Sequence, residues 1–329
     1  MDILITGGAG FLGRQLTRAL LARGSILLDG VERPFDRIVC FDTVEGPVSD
    51  PRVRNVAGSI SDAASVDALV GPETGVVVHL AAVVSGTAEA DFDLGMRVNV
   101  DGTRHLLEAC RAIGTCPRVL FSSSIAVFGG DLPPVVTDAT TPTPQGSYGM
   151  QKLICELMVQ DWTRKGFIDG RSVRVPTVVV RPGAPNGAAS GFASGIIREP
   201  LAGREAILPV DPSTEMWLAS PRAVVGMLLH ALALPAQAWG WNRSLNLPGL
   251  VASMRDELEA LRRVGGDAAV ALVRERPDPA VRALVRTWAG RFETPRARAM
   301  GFEADTDVDA VVRAYVEDNP DAVSLRASR

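Results

Sequence analysis

The residues Thr6-Gly7-Gly8-Ala9-Gly10-Phe11-Leu12-Gly13 join a short β-branched run, Ile3 to Thr6, to a stretch whose apolar positions Leu12, Leu16, Ala19 and Leu20 recur at helical spacing. A strand that enters a glycine-rich turn and leaves as a helix offers free backbone N–H groups and the positive end of the helix dipole to whatever sits at the turn. A dinucleotide pyrophosphate suits such a place. Two spacings overlap here: Gly8, Gly10 and Gly13 fit G-x-G-x-x-G, while Gly7, Gly10 and Gly13 fit the wider G-x-x-G-x-x-G. Either leaves Gly10 for close phosphate approach and Gly13 for helix packing.

From Asp2 to about Arg181 the chain continues as short strand-like runs alternating with amphipathic stretches, the pattern of a parallel sheet with crossover helices. The strand candidates are Ile3–Thr6, Arg37–Asp42, Val53–Val56, Val76–Leu80, Val119–Ser122 and Val175–Val180. Six of them predict an α/β doubly wound sheet. Past Arg181 the prolines Pro182 and Pro185, with Asn186 and Gly187, mark a loop that leaves the sheet. The reading is therefore a nucleotide-binding domain over 1–181 and a smaller, mainly substrate-binding region over 182–329. Segments at about 221–247 are expected to return to the first domain. Helices are predicted at Ala223–Leu234 and Ser253–Val264, with a strand at Ser244–Leu247 between them.

Composition narrows the function classes. A chain of 329 residues with 47% hydrophobic and 22% charged residues, a net charge of -4 and no block of one sign has nothing to draw it to nucleic acid or an anionic membrane. Asp2 stands where a signal peptide needs a basic start, and no apolar run reaches the roughly 18 residues of a membrane span, so a cytoplasmic location is expected. Four cysteines without a C-x-x-C pair and three histidines encode neither a disulfide framework nor a zinc site. Among the histidines, His79 ends a buried strand and reads as a packed residue near the nucleotide.

Two further features carry chemistry. Asp42 ends the second strand with no Arg or Lys from Thr43 to Pro51, so it can accept the ribose hydroxyls and repel a 2′-phosphate. That favours NAD over NADP. Asp42 lies 29 residues after Gly13, more than the ~20 usual for this role. A surface insertion at Gly24–Phe35 accounts for the excess. The second feature is Tyr148-Gly-Met-Gln-Lys152, preceded by Ser122-Ser123-Ser124. Residues i and i+4 share a helix face, so Lys152 can direct its ammonium toward Tyr148. A cation about 4 Å from the phenol, at an effective dielectric near 20, is worth about 4 kcal/mol to the phenolate, or roughly three pK units.

Taken together, Thr6 to Gly13, Asp42, His79-Leu-Ala-Ala82, Asn99, Ser122 to Gly129, Tyr148 with Lys152, and Arg296 to Phe302 resemble the extended short-chain dehydrogenase/reductases across essentially the whole chain. The resemblance implies a Rossmann domain with helices on both faces of the sheet, NAD as cofactor, and a homodimer paired through the helices at Asp93–Ile113 and Ser147–Lys165. It implies Ser124 as catalytic serine, Tyr148 as general base, Lys152 as its activator and Asn99 as support for a proton relay. Gly7, Gly10, Phe11, Leu12, Gly13, Asp42, Leu80, Ala81, Ala82 and Pro182 would line the cofactor with Asn99, Tyr148 and Lys152. Ser59 and Ile60 match an adenine-side turn, with Ser59 in place of the usual acid. Ser123, Ser124, Tyr148, Asn186 and Arg222 fall on the substrate side.

Within this family, nucleotide-sugar enzymes often carry an Arg ahead of a Val-Asp-Asp turn, where it clamps a diphosphate. Here the stretch from Glu215 to Arg222 has an acid instead, which argues against a diphosphate substrate, and Pro142 to Tyr148, Arg164 to Gly170, Arg181 to Asn186 and Phe192 to Pro200 resemble the dehydrogenase branch acting on small acids. The implied reaction is NAD-dependent oxidation of the C2 hydroxyl of a four-carbon sugar acid; the alternative is an epimerase or dehydratase of nucleotide sugars that retains its NAD. A small carboxylate needs a cation or several hydrogen-bond donors; a guanidinium offers a bidentate grip, and Arg222 is the candidate, with Arg181 as its rival.

Overall fold

In the computed structural model, which describes residues 1–184 and 187–327, seven parallel strands form one sheet. Their order is Ser244–Asn246, Asp169–Val175, Arg118–Ser124, Thr74–His79, Asp2–Thr6, Arg37–Asp42 and Val53–Ala57. Leu4, Val39, Phe41, Val77, Val119 and Phe121 belong to a buried cluster with Leu106, Leu107 and Cys110 of the Gly102–Ala112 helix and Cys155 and Val159 of the Ser147–Arg164 helix. Their chain neighbours Ile3, Ile5, Ile38, Cys40, Val78 and Leu120 are equally buried. Because strand side chains alternate, these occupy the opposite face. Burial on both faces is why the strands read as continuous β-branched runs, and it makes this a doubly wound α/β sheet of Rossmann type.

The strand order reverses beside the first strand, between Asp2–Thr6 and Thr74–His79. Ligands of such sheets bind outside the carboxyl ends of the strands at that point. The Phe11–Arg23 helix ends at Gly24, whose φ of 72° is the left-handed cap that glycine adopts without steric cost. A hairpin of Ser25–Leu28 and Val31–Pro34 follows, filling the stretch expected to be an insertion and delaying the second strand, hence Asp42.

The chain divides into two units, the first made of residues 1–127, 146–175 and 225–246, the second of 128–145, 176–224 and everything from 247 onward. The boundary therefore differs from one placed at Arg181. The strand expected at Val175–Val180 runs instead from Asp169 to Val175. Pro176 follows it and has no N–H for the ladder. Thr177 and Val178 then pair with Leu218 and Ala219 in the second unit.

Residues 225–246 return to the first unit, where Ser244–Asn246 supplies an edge strand. The guanidinium of Arg118 donates to the Leu232 carbonyl, and that of Arg171 to those of Ala231 and Leu234. Cations at this end of the Pro221–Ala233 helix answer its orphan carbonyls and its dipole.

In the second unit, the Gly191–Leu201, Met254–Gly265 and Val308–Asp318 helices contribute Ile196, Ile197, Leu261, Val312 and Tyr315 to a core that includes Val179, Leu208, Met216 and Leu218. Ser253 and Asp256 form a capping box at the start of the Met254–Gly265 helix. Among the described residues, no helix is long and apolar enough to cross a membrane.

Candidate active site

Gly7 has φ +73°, and a Cβ there would stand 2.8 Å from the Ala81 nitrogen; one on Gly13 would stand 2.3 Å from the Gly7 carbonyl oxygen. Gly10 donates its N–H to that same oxygen at 3.1 Å and then begins the Phe11–Arg23 helix with no side-chain cap. Of the two overlapping spacings, Gly7, Gly10 and Gly13 thus make the turn. Gly8 instead makes room for Cys40, 2.7 Å from where its Cβ would be. Phe11 and Leu12 are half-buried in the first helical turn.

Asp42 lies beside this turn, accepting from the Ala9 N–H at 3.0 Å and the Thr43 N–H at 2.7 Å. Leu80 and Ala81 donate their N–H groups to the carbonyl and the hydroxyl oxygen of Thr6, which holds the Leu80–Ala82 segment next to the glycines. Gly58 donates to the Asp42 carbonyl, so Ser59 and Ile60 follow directly. The Ser59 hydroxyl is paired with Ser61, and Ile60 is buried over Gly102, in a gap a Cβ on that glycine would close. A dinucleotide fits this cradle: close backbone packing keeps the turn free of side chains, and an uncapped helix start faces it. Pro182 lies half-buried in the second unit, and Asn186 falls outside the described residues.

The catalytic candidates meet in the first unit at the end of the Arg118–Ser124 strand and the start of the Ser147–Arg164 helix. Lys152 donates from Nζ to the Ser122 carbonyl at 2.8 Å and stands 4.7 Å from the Phe121 ring centre and 5.6 Å from that of Tyr148. Its side chain is buried. Burial pushes its ammonium down to about 8, against the pull of Cys155 and Glu156. Tyr148 is half-buried. Ser124 accepts from the Ala126 N–H at 3.1 Å, and among the described residues its own hydroxyl hydrogen has no acceptor.

Three site expectations change. Ser123, expected on the substrate side, is buried and donates to Glu156, because consecutive strand residues face opposite ways. Asn99, expected to support a relay, accepts from the Val83 N–H at 2.9 Å and donates to the Val83 carbonyl at 3.2 Å and Gln151 Oε1 at 2.7 Å. Both amide hydrogens are engaged, so its side chain braces the loop after the fourth strand of the chain-order sheet, Thr74–His79. Arg222, expected to hold a carboxylate, gives its guanidinium to Glu317 at 3.1 Å and Asp318 at 2.6 Å on the surface of the second unit. Its rival Arg181 donates to the Val178 carbonyl and to Ser190.

A hydrogen-bonded chain that the spacing did not single out ties the glycine turn to the helices. Thr103 donates to the Asn99 carbonyl at 2.6 Å, so it accepts from His79 Nε2–H at 2.9 Å, and Nδ1 accepts from the Thr6 hydroxyl at 2.6 Å. A neutral imidazole satisfies this arrangement. Burial, and secondarily the Lys152 charge, depress His79 to about 3, which keeps it neutral. Nor does the spacing mark Gln151 and Glu156, each within about one helical turn of Lys152.

The profile of the NAD dependent epimerase/dehydratase family matches residues 3–235. The chain is 53% identical to the D-erythronate dehydrogenase of Cupriavidus necator, over 97% of this chain and 98% of that protein. It is 40% identical to the D-erythronate dehydrogenase of Haemophilus influenzae, over 96% and 99%. A solved structure described as the nucleoside-diphosphate-sugar epimerase from Agrobacterium tumefaciens superposes with a TM-score of 0.92 at 43% identity, covering 98% of this chain and 95% of that one.

Proposed function

This chain belongs to the NAD dependent epimerase/dehydratase family, and we propose that it oxidises the C2 hydroxyl of D-erythronate to the 2-oxo acid with Tyr148 as general base. The observation that carries the reading is the buried Lys152 ammonium, held on the Ser122 carbonyl beside the Tyr148 ring. Two relatives named D-erythronate dehydrogenase, each matched over nearly its full length, support the substrate.

Tyr148 phenolate takes the hydroxyl proton, and Lys152 lowers the cost of forming that phenolate. Ser124 donates its uncommitted hydrogen to the same substrate oxygen, which keeps C2 oriented. NAD, held by the Gly7–Gly13 turn and Asp42, supplies the hydride acceptor when bound. A second copy of this chain is the partner we infer, since Phe92, just ahead of the first of the helices that would pair, and Leu157, on the second, are each more than half exposed.

The alternative is a nucleotide-sugar epimerase, which the description of the Agrobacterium structure favours. Against it, Glu215 sits where a diphosphate clamp would be basic, and it engages Arg291. The test is NADH formation from NAD with a panel of C4 aldonates and UDP-sugars. Net NADH with D-erythronate is expected; interconversion of a UDP-sugar without net NADH would replace this reading with the epimerase.

A further inference from the structure

Behind the Tyr148–Lys152 helix lies a largely buried ion pair that none of the roles above uses. Glu156, one turn beyond Lys152, is 2% exposed. Its carboxylate accepts from Arg174 Nε at 2.9 Å and from the terminal nitrogen Nη2 at 2.7 Å, and from the Ser123 hydroxyl. Arg174 also donates to Asn246 Oδ1 at 3.2 Å. The network thus joins the catalytic helix to three neighbouring strands, those ending at Ser124, Val175 and Asn246. Removing charges from water is costly unless their hydrogen bonds are met, and both oxygens of the Glu156 carboxylate have donors.

We propose that Glu156 and Arg174 are positioning residues for the reaction, a largely buried pair that fixes the helix carrying Lys152 and sets the electrostatic field in which its ammonium works. Neither touches the reacting atoms. Glu156 favours the charged form of Lys152, and Arg174 offsets it. The other titratable groups near Lys152 are Tyr148 and Cys155 on its own helix and His79 on the Thr74–His79 strand. Burial raises the Cys155 thiol to about 11, and His79 stays neutral, so neither adds charge near neutrality. The Arg118–Ser124 strand contributes only the Ser122 carbonyl and the Phe121 ring, while Asn99 and Thr103 are uncharged.

This inference rests on the Tyr148–Lys152 reading, and its test is kept separate from that reading. Lys152 and Lys165 are the only lysines in the sequence, and Lys165 is exposed. Protein labelled with 13C at lysine Cε therefore gives two signals, and Lys152 can be titrated directly without NAD. Its midpoint is expected near 8. Glu156→Gln should lower it, and Arg174→Gln should raise it, each by about one pH unit or more. The double variant, which removes both charges, should return within about half a unit of the parent.

The alkaline limb of the rate profile should move in the same directions, with KM little changed. If a single variant fails to fold, Asn246→Asp, which keeps the pair and places an anion against Arg174, should raise the midpoint. An unmoved midpoint in every folded variant, or shifts of one sign for both single variants, overturns the proposal. Failure of the Tyr148 reading would show separately, as a Tyr148→Phe enzyme that still turns over.

Discussion

The Gly7 carbonyl oxygen lies 2.3 Å from the position a Cβ on Gly13 would take, and the Gly8 Cα lies 2.8 Å from it. Gly13→Ala must therefore displace backbone, since no flexible side chain can give way. The expected outcome is at least a tenfold rise in the dissociation constant for NAD with a lower Tm, read by calorimetry and thermal melting. Unchanged NAD binding would separate the turn from the cofactor.

Tyr148→Phe keeps the ring and loses the hydroxyl. Turnover should fall by about 10² or more, the range typical of a positioned base, while the Kd for NAD stays nearly constant. Retention of a tenth of the parent kcat would end the assignment. In the parent enzyme kcat/KM should decline above pH of about 8, as Lys152 loses its proton.

Asp42 accepts from the Ala9 N–H beside the glycine turn, and an acid in that role would repel a ribose 2′-phosphate. Activity with NAD should exceed that with NADP, and Asp42→Ala should narrow the ratio of kcat/KM values. Equal use of both cofactors by the parent enzyme would contradict this placement.

His79 is depressed to about 3 when folded, against an ordinary 6.5. Between these values the unfolded chain binds a proton that the folded chain refuses. Its contribution to stability is therefore complete above 6.5 and is lost as the pH falls, by roughly 1.4 kcal/mol per unit. Thermal melting of the parent should drop more steeply below pH 6.5 than that of His79→Gln, whose amide keeps a donor and an acceptor in place of the imidazole. Parallel curves would remove His79 as a source of the acid sensitivity.

Arg222 is half-exposed and shared by Glu317 and Asp318. Surface pairs of this kind contribute little. Arg222→Ala should leave KM for D-erythronate within about twofold of the parent and shift Tm only slightly. A tenfold rise in KM would restore Arg222 to the substrate site.

The parts legible from sequence were those whose signal is local. The glycine turn, Asp42 at a strand end, and the i, i+4 relation of Tyr148 and Lys152 each depend on neighbours within a few residues, so spacing alone reveals them. Strand alternation could have assigned Ser123 to the face opposite Ser122 and Ser124, and Pro176 could have ended the Asp169–Val175 strand; both signals were present and outweighed by the apolar runs around them.

Other features are set by residues far apart in the chain. Arg222 meets Glu317 and Asp318, Glu156 meets Arg174 and Asn246 through it, and His79 is held between Thr6 and Thr103. No periodicity encodes which distant partner a charge will find. The sequence by itself determined the sheet, the glycine turn and the pairing of Tyr148 with Lys152 on one helix face, because backbone geometry and short-range sterics decide those. The tertiary structure alone decided which cations already have partners and which polar groups lose their water, because burial and ion pairing depend on long-range packing.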